Sequence, residues 1–294
     1  MAIKLRSRNN NLVKDAALIN NYINDRLAGS SQSLKSSDIE KMSSDLNMKP
    51  NQLYYTLKEL GVAIALFTGG NVLTVRSPKM FDPDKAAGIY SDNWSNPSFL
   101  DFLSIKNPAD MNMIPTQRDY TTSRQLLIKL ANISSHVSTT GVSIATLYRG
   151  LGEIDFNTLN SWVRPGTVFD LGALASTSIE QNAAKTFSGK DEGSIILVIN
   201  NKKSKGLYVE GLSSFQEERE VILSGDVVTV GCSGMTAEWS DSASVLKETT
   251  DWDVILKSKK AAKLDIEYAM PSSNTFKNAV AILAAHTIIY VDLI

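Results

Sequence analysis

The sequence is poor in the two residue types that most often bind metals or form cross-links. It contains one cysteine, Cys232, so an internal disulfide framework is excluded. Its two histidines, His136 and His286, are too few to build a Cys/His zinc site. We therefore expect no metal at the functional site, a half-buried Cys232 and a His286 that belongs to a core.

Long apolar runs are also missing. A membrane-spanning helix needs about 20 apolar residues. The nearest stretch, AVAILAAHTIIYVDLI, is broken by His286, Thr287 and Asp292, and we interpret it as a buried helix leading into a strand. The segment MAIKLRSRNN is charged and precedes no apolar signal core. These absences predict no membrane partner and folding in a reducing cytoplasm, with export without a cleaved signal left open.

The chain has no strong net charge, since 30 lysines and arginines oppose 31 aspartates and glutamates. The distribution is uneven. Residues 1–80 hold 11 basic and 6 acidic residues, whereas residues 81–294 hold 19 and 25. The whole molecule therefore shows no overall attraction to nucleic acid, and only residues 1–80 keep such a contact as an alternative.

Motifs of three common enzyme classes are absent. No Gly-x-Gly-x-x-Gly follows a predicted strand, which argues against a Rossmann dehydrogenase. The segment TFSGKDEG contains Ser-Gly-Lys, but Ala184 stands where a P-loop needs glycine, and neither serine nor threonine follows the lysine. Neither histidine accompanies a Gly-x-Ser-x-Gly turn, which argues against a serine hydrolase as well.

Residues 1–85 are predicted to form a small, mostly helical N-terminal domain. Apolar residues recur at helical spacing along LVKDAALINNYINDRLAG, and a serine cap starts a second helix at SSDIEKM. A third helix is predicted to begin near Pro50 and to end at Gly61. A hairpin around Gly69-Gly70 in VAIALFTGGNVLTV is predicted to follow it. Three helices and a hairpin are the order of a winged helix.

In a winged helix, residues 50–60 would be the recognition helix that enters a DNA groove. This segment carries Lys58 as its one cation. A domain that packs on its neighbour or binds a partner protein is therefore the alternative to a DNA-binding domain.

The rest of the chain is predicted to be a linker followed by a β-rich domain. Prolines, asparagines and aspartates indicate a linker over residues 86–114. Within residues 115–294, a helix is predicted at TTSRQLLIKLANIS. Short β-rich runs then follow, including GSIILVIN, EREVILSGDVVTVGC and DWDVILKS. These runs predict a mainly antiparallel β core and an α+β fold class.

The segment SSFQEEREVIL concentrates like charge at the start of a predicted strand. On a strand, Glu218 and Glu220 would face one way and Glu217 and Arg219 the other. Two carboxylates on one face repel each other, so that their pKa values move apart. This suits a site with one ionised group and one general base. A solvated turn would show the same residues, so the motif alone leaves both interpretations open.

Three further segments carry residues suited to a site. Arg149 ends the β run IATLYRG, and a guanidinium there can hold a phosphate by two hydrogen bonds. Ser176-Thr177-Ser178 form a hydroxyl-rich strand that can orient a carboxylate. Phe187, in a short helix after it, can present a stacking face. Taken singly, an ion pair, an edge strand and a core phenylalanine explain them equally well.

In their order along the chain, Arg149, Ser-Thr-Ser and Glu-x-Glu, with Phe187 before the last, resemble the motifs of the mono-ADP-ribosyltransferases of the Arg/Ser-Thr-Ser/Glu-x-Glu class. This class includes actin-modifying bacterial toxins and the phage Alt and Mod enzymes. The resemblance spans residues 118–235, roughly 40% of the chain, and covers all three motifs of the class in the expected order. It therefore identifies candidate roles for individual residues.

The resemblance implies how NAD would be bound. Arg149 would hold the NAD phosphates, and the backbone of Gly150 would meet the nicotinamide amide. Ser176 would donate a hydrogen bond that orients Glu220, and Thr177 would support the same strand.

It also implies which residues would act on the sugar and on the acceptor. Glu220 would be hydrogen-bonded to the nicotinamide ribose, and Phe187 would stack near the nicotinamide. Glu218 would define arginine as the acceptor, and Phe215 would be the aromatic residue of the loop that recognises the target. Ala175 departs from many relatives, which carry a larger apolar residue before Ser-Thr-Ser; this affects packing and leaves the chemistry intact.

The fold implied is two packed, mostly antiparallel sheets with flanking helices and NAD in the cleft between them. The activity implied is transfer of one ADP-ribose from NAD to an arginine of a protein, without a metal, in the cytoplasm of a phage host or of a toxin's target cell. An NAD glycohydrolase or a non-arginine acceptor is the enzymatic alternative. A DNA-binding regulator that acts through the N-terminal domain is the other.

Overall fold

The computed structural model describes residues 10–27, 36–68, 116–132, 142–152, 154–172, 174–189, 194–213, 215–240 and 243–294. Its helices are α1 (Asn10–Leu27), α2 (Ser36–Asp45), α3 (Pro50–Thr68), α4 (Gln117–Ala131), α5 (Phe156–Trp162), α6 (Gln181–Phe187), α7 (Trp252–Tyr268) and α8 (Asn274–Ala284). Its strands are β1 (Thr146–Leu151), β2 (Val168–Asp170), β3 (Ala175–Ser178), β4 (Ile195–Asn200), β5 (Leu207–Tyr208), β6 (Glu220–Leu223), β7 (Asp226–Ser240), β8 (Ala243–Thr249) and β9 (Thr287–Leu293). Two 3₁₀ turns, Glu210–Leu212 and Gln216–Glu218, lie between β5 and β6.

The third helix is longer than the sequence predicted. It begins at Pro50 as expected, but it passes through Gly61 and ends at Thr68, so the first strand of the predicted hairpin is wrong. The second predicted strand and the linker at 86–114 lie outside the described residues. Residues 62–67 are apolar on every side and are buried wherever their side chains are described, which a helix surrounded by other helices can satisfy as well as a strand.

Contacts divide the chain into two compact units. The first comprises Met1–Ile144, Gly172–Ser176 and Lys203–Ser224, and the second comprises Ala145–Leu171, Thr177–Lys202 and Gly225–Ile294. The N-terminal helices therefore share a unit with the segment that carries the paired glutamates, whereas the sequence predicted a boundary near residue 85.

In the first unit, the helices pack on one another and on the segment from β5 to β6. The helix α3 contacts α1, α2 and α4, and α1 also contacts β5 and the first 3₁₀ turn. Apolar side chains fill these contacts. Those less than 2% exposed include Ile19, Ile23, Met42, Leu53, Leu57, Leu60, Ile64, Phe67, Tyr120 and Tyr208. Burial of each such side chain stabilises the unit by about 1.5–3 kcal/mol relative to exposure.

The second unit is built on a sheet in which β9 lies between β4 and β7. The strand order is β2, β7, β9, β4, β1, and β8 pairs with β7. Among the strand pairs whose register is described, β4 and β9 alone run parallel, from Ile195 opposite Thr287 to Asn200 opposite Asp292. The α+β class with a mostly antiparallel sheet and flanking helices is thus confirmed.

The segment DWDVILKS was predicted as a strand, and this is wrong, because it begins the helix α7. Asp251 caps the helix by accepting hydrogen bonds from the backbone N–H of Asp253 and Val254, at 3.0 and 3.3 Å. The residues after this segment, KKAAKL, are strong helix formers. The predicted C-terminal helix and strand are present as α8 and β9, but α8 is not the buried helix that was predicted, because among its residues Ala279 and Ile282 are buried and most others are not. Within the described residues, no helix has both the length and the apolar character needed to cross a bilayer.

Candidate active site

The two glutamates of the Glu-x-Glu motif lie in different kinds of backbone. Glu220 is the first residue of β6 and is 4% exposed. Glu218 ends the 3₁₀ turn Gln216–Glu218, and Arg219 between them is left-handed, with φ 45° and ψ 52°. The alternation of a strand, which predicted that both carboxylates face one way, therefore does not apply to Glu218. The reason is that the strand begins two residues later than expected.

Glu218 lies in an environment that disfavours its charge. It is half-buried, and burial is the main cause that raises the pKa of its carboxyl, followed by the nearby negative charge of Glu217. Glu217 itself is exposed. A carboxylate with a raised pKa binds a proton more readily, which is what a general base needs.

The Ser-Thr-Ser segment forms the strand β3, next to β6 in the hydrogen-bonding order. Thr177 and Ser178 are buried, and Ser176 is half-buried. The Ser178 hydroxyl oxygen accepts a hydrogen bond from the backbone N–H of Glu180 at 2.8 Å, so it is used to turn the chain after the strand. Of the three hydroxyls, that of Ser176 is thus the most exposed and lies on the strand neighbouring the one that begins with Glu220.

Phe215 lies in the connection between the two 3₁₀ turns. Its side chain is 39% exposed, and its backbone N–H donates to the Ser213 hydroxyl oxygen at 3.0 Å. Its carbonyl accepts from the backbone N–H of Glu218 at 3.1 Å. An exposed aromatic ring on a hydrogen-bonded turn can contact a partner, and the role of Phe215 in target recognition stays a prediction.

Arg149 and Gly150 lie on β1, in the middle of its pairing with β4. Arg149 is opposite Leu197 and Gly150 is opposite Ile196. The helix α6 packs against β1, and a Cβ atom added to Gly150 would lie 1.8 Å from the Ala184 carbonyl oxygen and 2.7 Å from the Ser188 nitrogen. Only glycine therefore fits at this position, and its nicotinamide contact stays a prediction.

We expect Gly150→Ala to lower the free energy of unfolding by about 3 kcal/mol or more, because a backbone carbonyl must move to admit the methyl group. Urea unfolding measures this. Gly231→Ala on β7 is the matched control, since nothing lies within 4 Å of its added Cβ atom. Equal unfolding midpoints for the two variants would show that α6 does not pack on β1 in this way.

Phe187 is the last residue of α6 and is 56% exposed. Because α6 packs on β1, Phe187 belongs to the same unit as Arg149 and Gly150. A large aromatic ring left in solvent at the end of a packed helix is available for stacking on a planar ligand.

The predicted site residues fall into two groups, and each group lies within one of the two compact units. The first unit contains Ser176, Phe215, Glu218 and Glu220, and the second contains Arg149, Gly150, Thr177 and Phe187. The strand β3 contributes to both, since the chain passes from the first unit to the second between Ser176 and Thr177. The roles of these residues in binding NAD and in transfer stay predictions.

A buried polar network beside the motif was missed by the sequence analysis. Glu210 is 5% exposed, accepts a hydrogen bond from the Tyr208 hydroxyl and pairs with Arg219. Asn20 and Asn24 of α1 reach the backbone beside Glu210. A signal was present, because Glu210 interrupts the apolar run LYVEGL and the asparagines lie four residues apart on the apolar face of α1.

Cys232, His136 and His286 are the residues that the sequence offered as metal ligands. Within the described part of the chain, no cluster of histidine, cysteine, aspartate and glutamate is arranged to hold a metal ion. Burial raises the pKa of the Cys232 thiol and lowers the pKa of the half-buried His286. His136 lies outside the described residues.

No family model matches this chain, and no curated protein matches it in sequence. Solved structures do align with it. The ADP-ribosyltransferase HopU1 of Pseudomonas syringae pv. Tomato DC3000 has 13% identity and a TM-score of 0.39, over 96% of this chain and 97% of its own.

Two further alignments are similar in extent. Plx2a, an ADP-ribosyltransferase toxin from Paenibacillus larvae, has 12% identity and a TM-score of 0.33, over 87% of this chain and 96% of its own. Exoenzyme S from Pseudomonas aeruginosa has 15% identity and a TM-score of 0.33, over 79% and 88%. At these TM-scores the function of this chain rests on its own residues.

Proposed function

We propose that this chain is a mono-ADP-ribosyltransferase that moves one ADP-ribose from NAD to an arginine of a protein in a host or target cell. The observation that carries this proposal is the environment of the Glu-x-Glu pair. Glu220 is buried at the start of a strand next to the Ser-Thr-Ser strand, and Glu218, two residues earlier, has a raised pKa. Two carboxylates in contrasting environments suit two different roles in one reaction.

Glu220 acts on the sugar. When the bond between the ribose C1′ and the nicotinamide nitrogen breaks, the electron pair leaves with neutral nicotinamide and positive charge develops on the ribose, as in glycoside cleavage. A fixed negative group beside the ribose stabilises that charge as it forms. A buried residue at a strand start holds its position well, so Glu220 meets this requirement.

Glu218 acts on the acceptor. A guanidinium, whose pKa exceeds about 12, must lose a proton as its nitrogen attacks C1′. Glu218 takes this proton while the new C–N bond forms. Its raised pKa makes it a stronger base than an ordinary surface glutamate, and it lies on a turn with the exposed Phe215, to which a protein can dock.

NAD binds as a substrate, and each of its chemical groups meets a side chain or backbone group of complementary chemistry. Arg149 supplies a cation for the two phosphates. Ser176 orients Glu220 through its hydroxyl, and Thr177 keeps the same strand in place by its own burial. Gly150 offers backbone groups to the nicotinamide amide, and Phe187 offers an exposed ring for stacking.

The purified protein, incubated with NAD labelled in its adenylate part, a host lysate and a free guanidino compound, tests this proposal. We expect nicotinamide release together with label on the free guanidino compound and, by mass spectrometry, on protein arginines. Nicotinamide release with free ADP-ribose as the sole product would instead identify an NAD glycohydrolase. Salt-dependent binding to duplex DNA with no nicotinamide release would contradict the proposal.

A further inference from the structure

Glu210 is a buried carboxylate to which none of the proposed catalytic steps assigns a role. It begins the first 3₁₀ turn after β5, and its side chain is 6% exposed. Its Oε2 atom accepts a hydrogen bond from the Tyr208 hydroxyl and lies 3.7 Å from the Nε atom of Arg219. A carboxylate removed from water needs such partners, because an unpaired buried charge is strongly destabilising.

The backbone on both sides of Glu210 is fixed by the helix α1. The side-chain amides of Asn20 and Asn24 both donate to the Tyr208 carbonyl at 2.7 Å. The Asn24 side-chain oxygen accepts from the Gly211 backbone N–H at 2.8 Å. Both asparagines are almost fully buried. The position of Glu210 is therefore set by contacts outside the turn that carries the paired glutamates.

Arg219 is the residue between Glu218 and Glu220, and its backbone is left-handed. Residues other than glycine adopt this conformation at a cost, because the Cβ atom approaches a carbonyl oxygen. The same conformation turns the chain from the 3₁₀ turn into β6. It thereby sets where the Glu218 carboxylate lies relative to the buried Glu220.

We propose that Glu210 is a positioning residue that holds Arg219 in its left-handed conformation through their ion pair and so places Glu218 for the arginine acceptor. This inference rests on the proposed function, in which Glu218 serves the acceptor and Glu220 serves the sugar. Glu210 thus governs how the activated ribose is divided between arginine and water.

Two substitutions at Arg219 separate the conformation from the charge. Arg219→Ala removes the guanidinium and keeps a residue that resists left-handed backbone, whereas Arg219→Gly removes it and permits that backbone. We expect the ratio of transfer to NAD hydrolysis to fall about tenfold in Arg219→Ala and to stay within about threefold of the parent in Arg219→Gly. Equal ratios for the two variants would overturn the proposal.

Glu210→Gln tests the other partner. It keeps an acceptor for Tyr208 but removes the charge that pairs with Arg219, so we expect the ratio to fall about tenfold here too, through a lower kcat of transfer. In an Arg219→Gly background the same substitution is expected to leave the ratio unchanged, because the pair is already absent. An equal drop in both backgrounds would contradict a role through Arg219.

Two control variants distinguish the proposed positioning role from a general loss of stability. Tyr208→Phe removes a hydrogen bond to Glu210 but keeps the ion pair, and Glu238→Gln removes the exposed ion pair between Glu238 of β7 and Lys247 of β8. Both are expected to keep the parental ratio, whatever their melting temperatures. If the unsubstituted parent protein releases no nicotinamide, both the proposed function and this role are refuted. An active parent whose ratio is unchanged in Arg219→Ala would refute the positioning role alone.

Discussion

Glu220→Gln is expected to abolish both ADP-ribose transfer and NAD hydrolysis, with a loss of at least about 1000-fold in each. Both reactions pass through the same positively charged ribose, and Glu220 is the buried negative group that stabilises it. Glutamine has nearly the same size and keeps a hydrogen-bond acceptor, so the packing at the start of β6 is retained. Release of nicotinamide from NAD, with and without a guanidino acceptor, measures both reactions.

The control for this experiment is Glu238→Gln, the same chemical change at an exposed position of β7. It is expected to retain the parental rates. Melting temperatures of both variants establish that they are folded. Full transferase activity in folded Glu220→Gln would show that the sugar-stabilising role belongs to another residue.

Glu218→Gln is expected to reduce transfer to arginine by about 100-fold or more while NAD hydrolysis stays within about threefold. The reason is that glutamine cannot accept the proton that the attacking guanidinium must lose. Water needs less help, because the ribose cation that Glu220 stabilises reacts readily with it. The ratio of ADP-ribosylated guanidino compound to free ADP-ribose measures the separation, and a parallel loss of both products would contradict it.

The pKa of Glu218 adds a pH dependence to this prediction. Because burial and Glu217 raise that pKa, the carboxylate needed for transfer is lost at a higher pH than in an unperturbed glutamate. Transfer should therefore decline as the pH falls through this raised pKa. Glu217→Gln removes the neighbouring charge, lowers the pKa of Glu218 and should move the acid limb of transfer to lower pH. An unmoved limb would show that another group titrates.

Much of the fold could be predicted because local patterns and global packing agree. The start of α3 at Pro50, the short helix α6 and the strands β4 and β9 follow from the position of the proline, flanking glycines and apolar periodicity. Two segments were predicted wrongly, because a short apolar run is compatible with either a helix or a strand. The segment after Gly61 became helical because other helices surround it, and DWDVILKS became helical because Asp251 caps it.

The candidate site was predictable in composition but not in backbone detail. Residue order alone suggested Arg149, Ser176 and Glu220 as members. The left-handed Arg219 could not be foreseen, because nothing in its own sequence neighbourhood requires that conformation. The contact of Asn24 with Gly211 joins residues 187 apart, and such a pairing depends on the tertiary fold rather than on any local signal.

The position of β9 has a consequence for how the protein is made. This strand lies between β4 and β7, both of which leave the ribosome earlier. Until β9 emerges, each of those strands has an unpaired edge that can join a strand of another nascent chain. This sheet therefore closes only once β9 pairs with β4 and β7, and the edges of those two strands stay open to other chains until then.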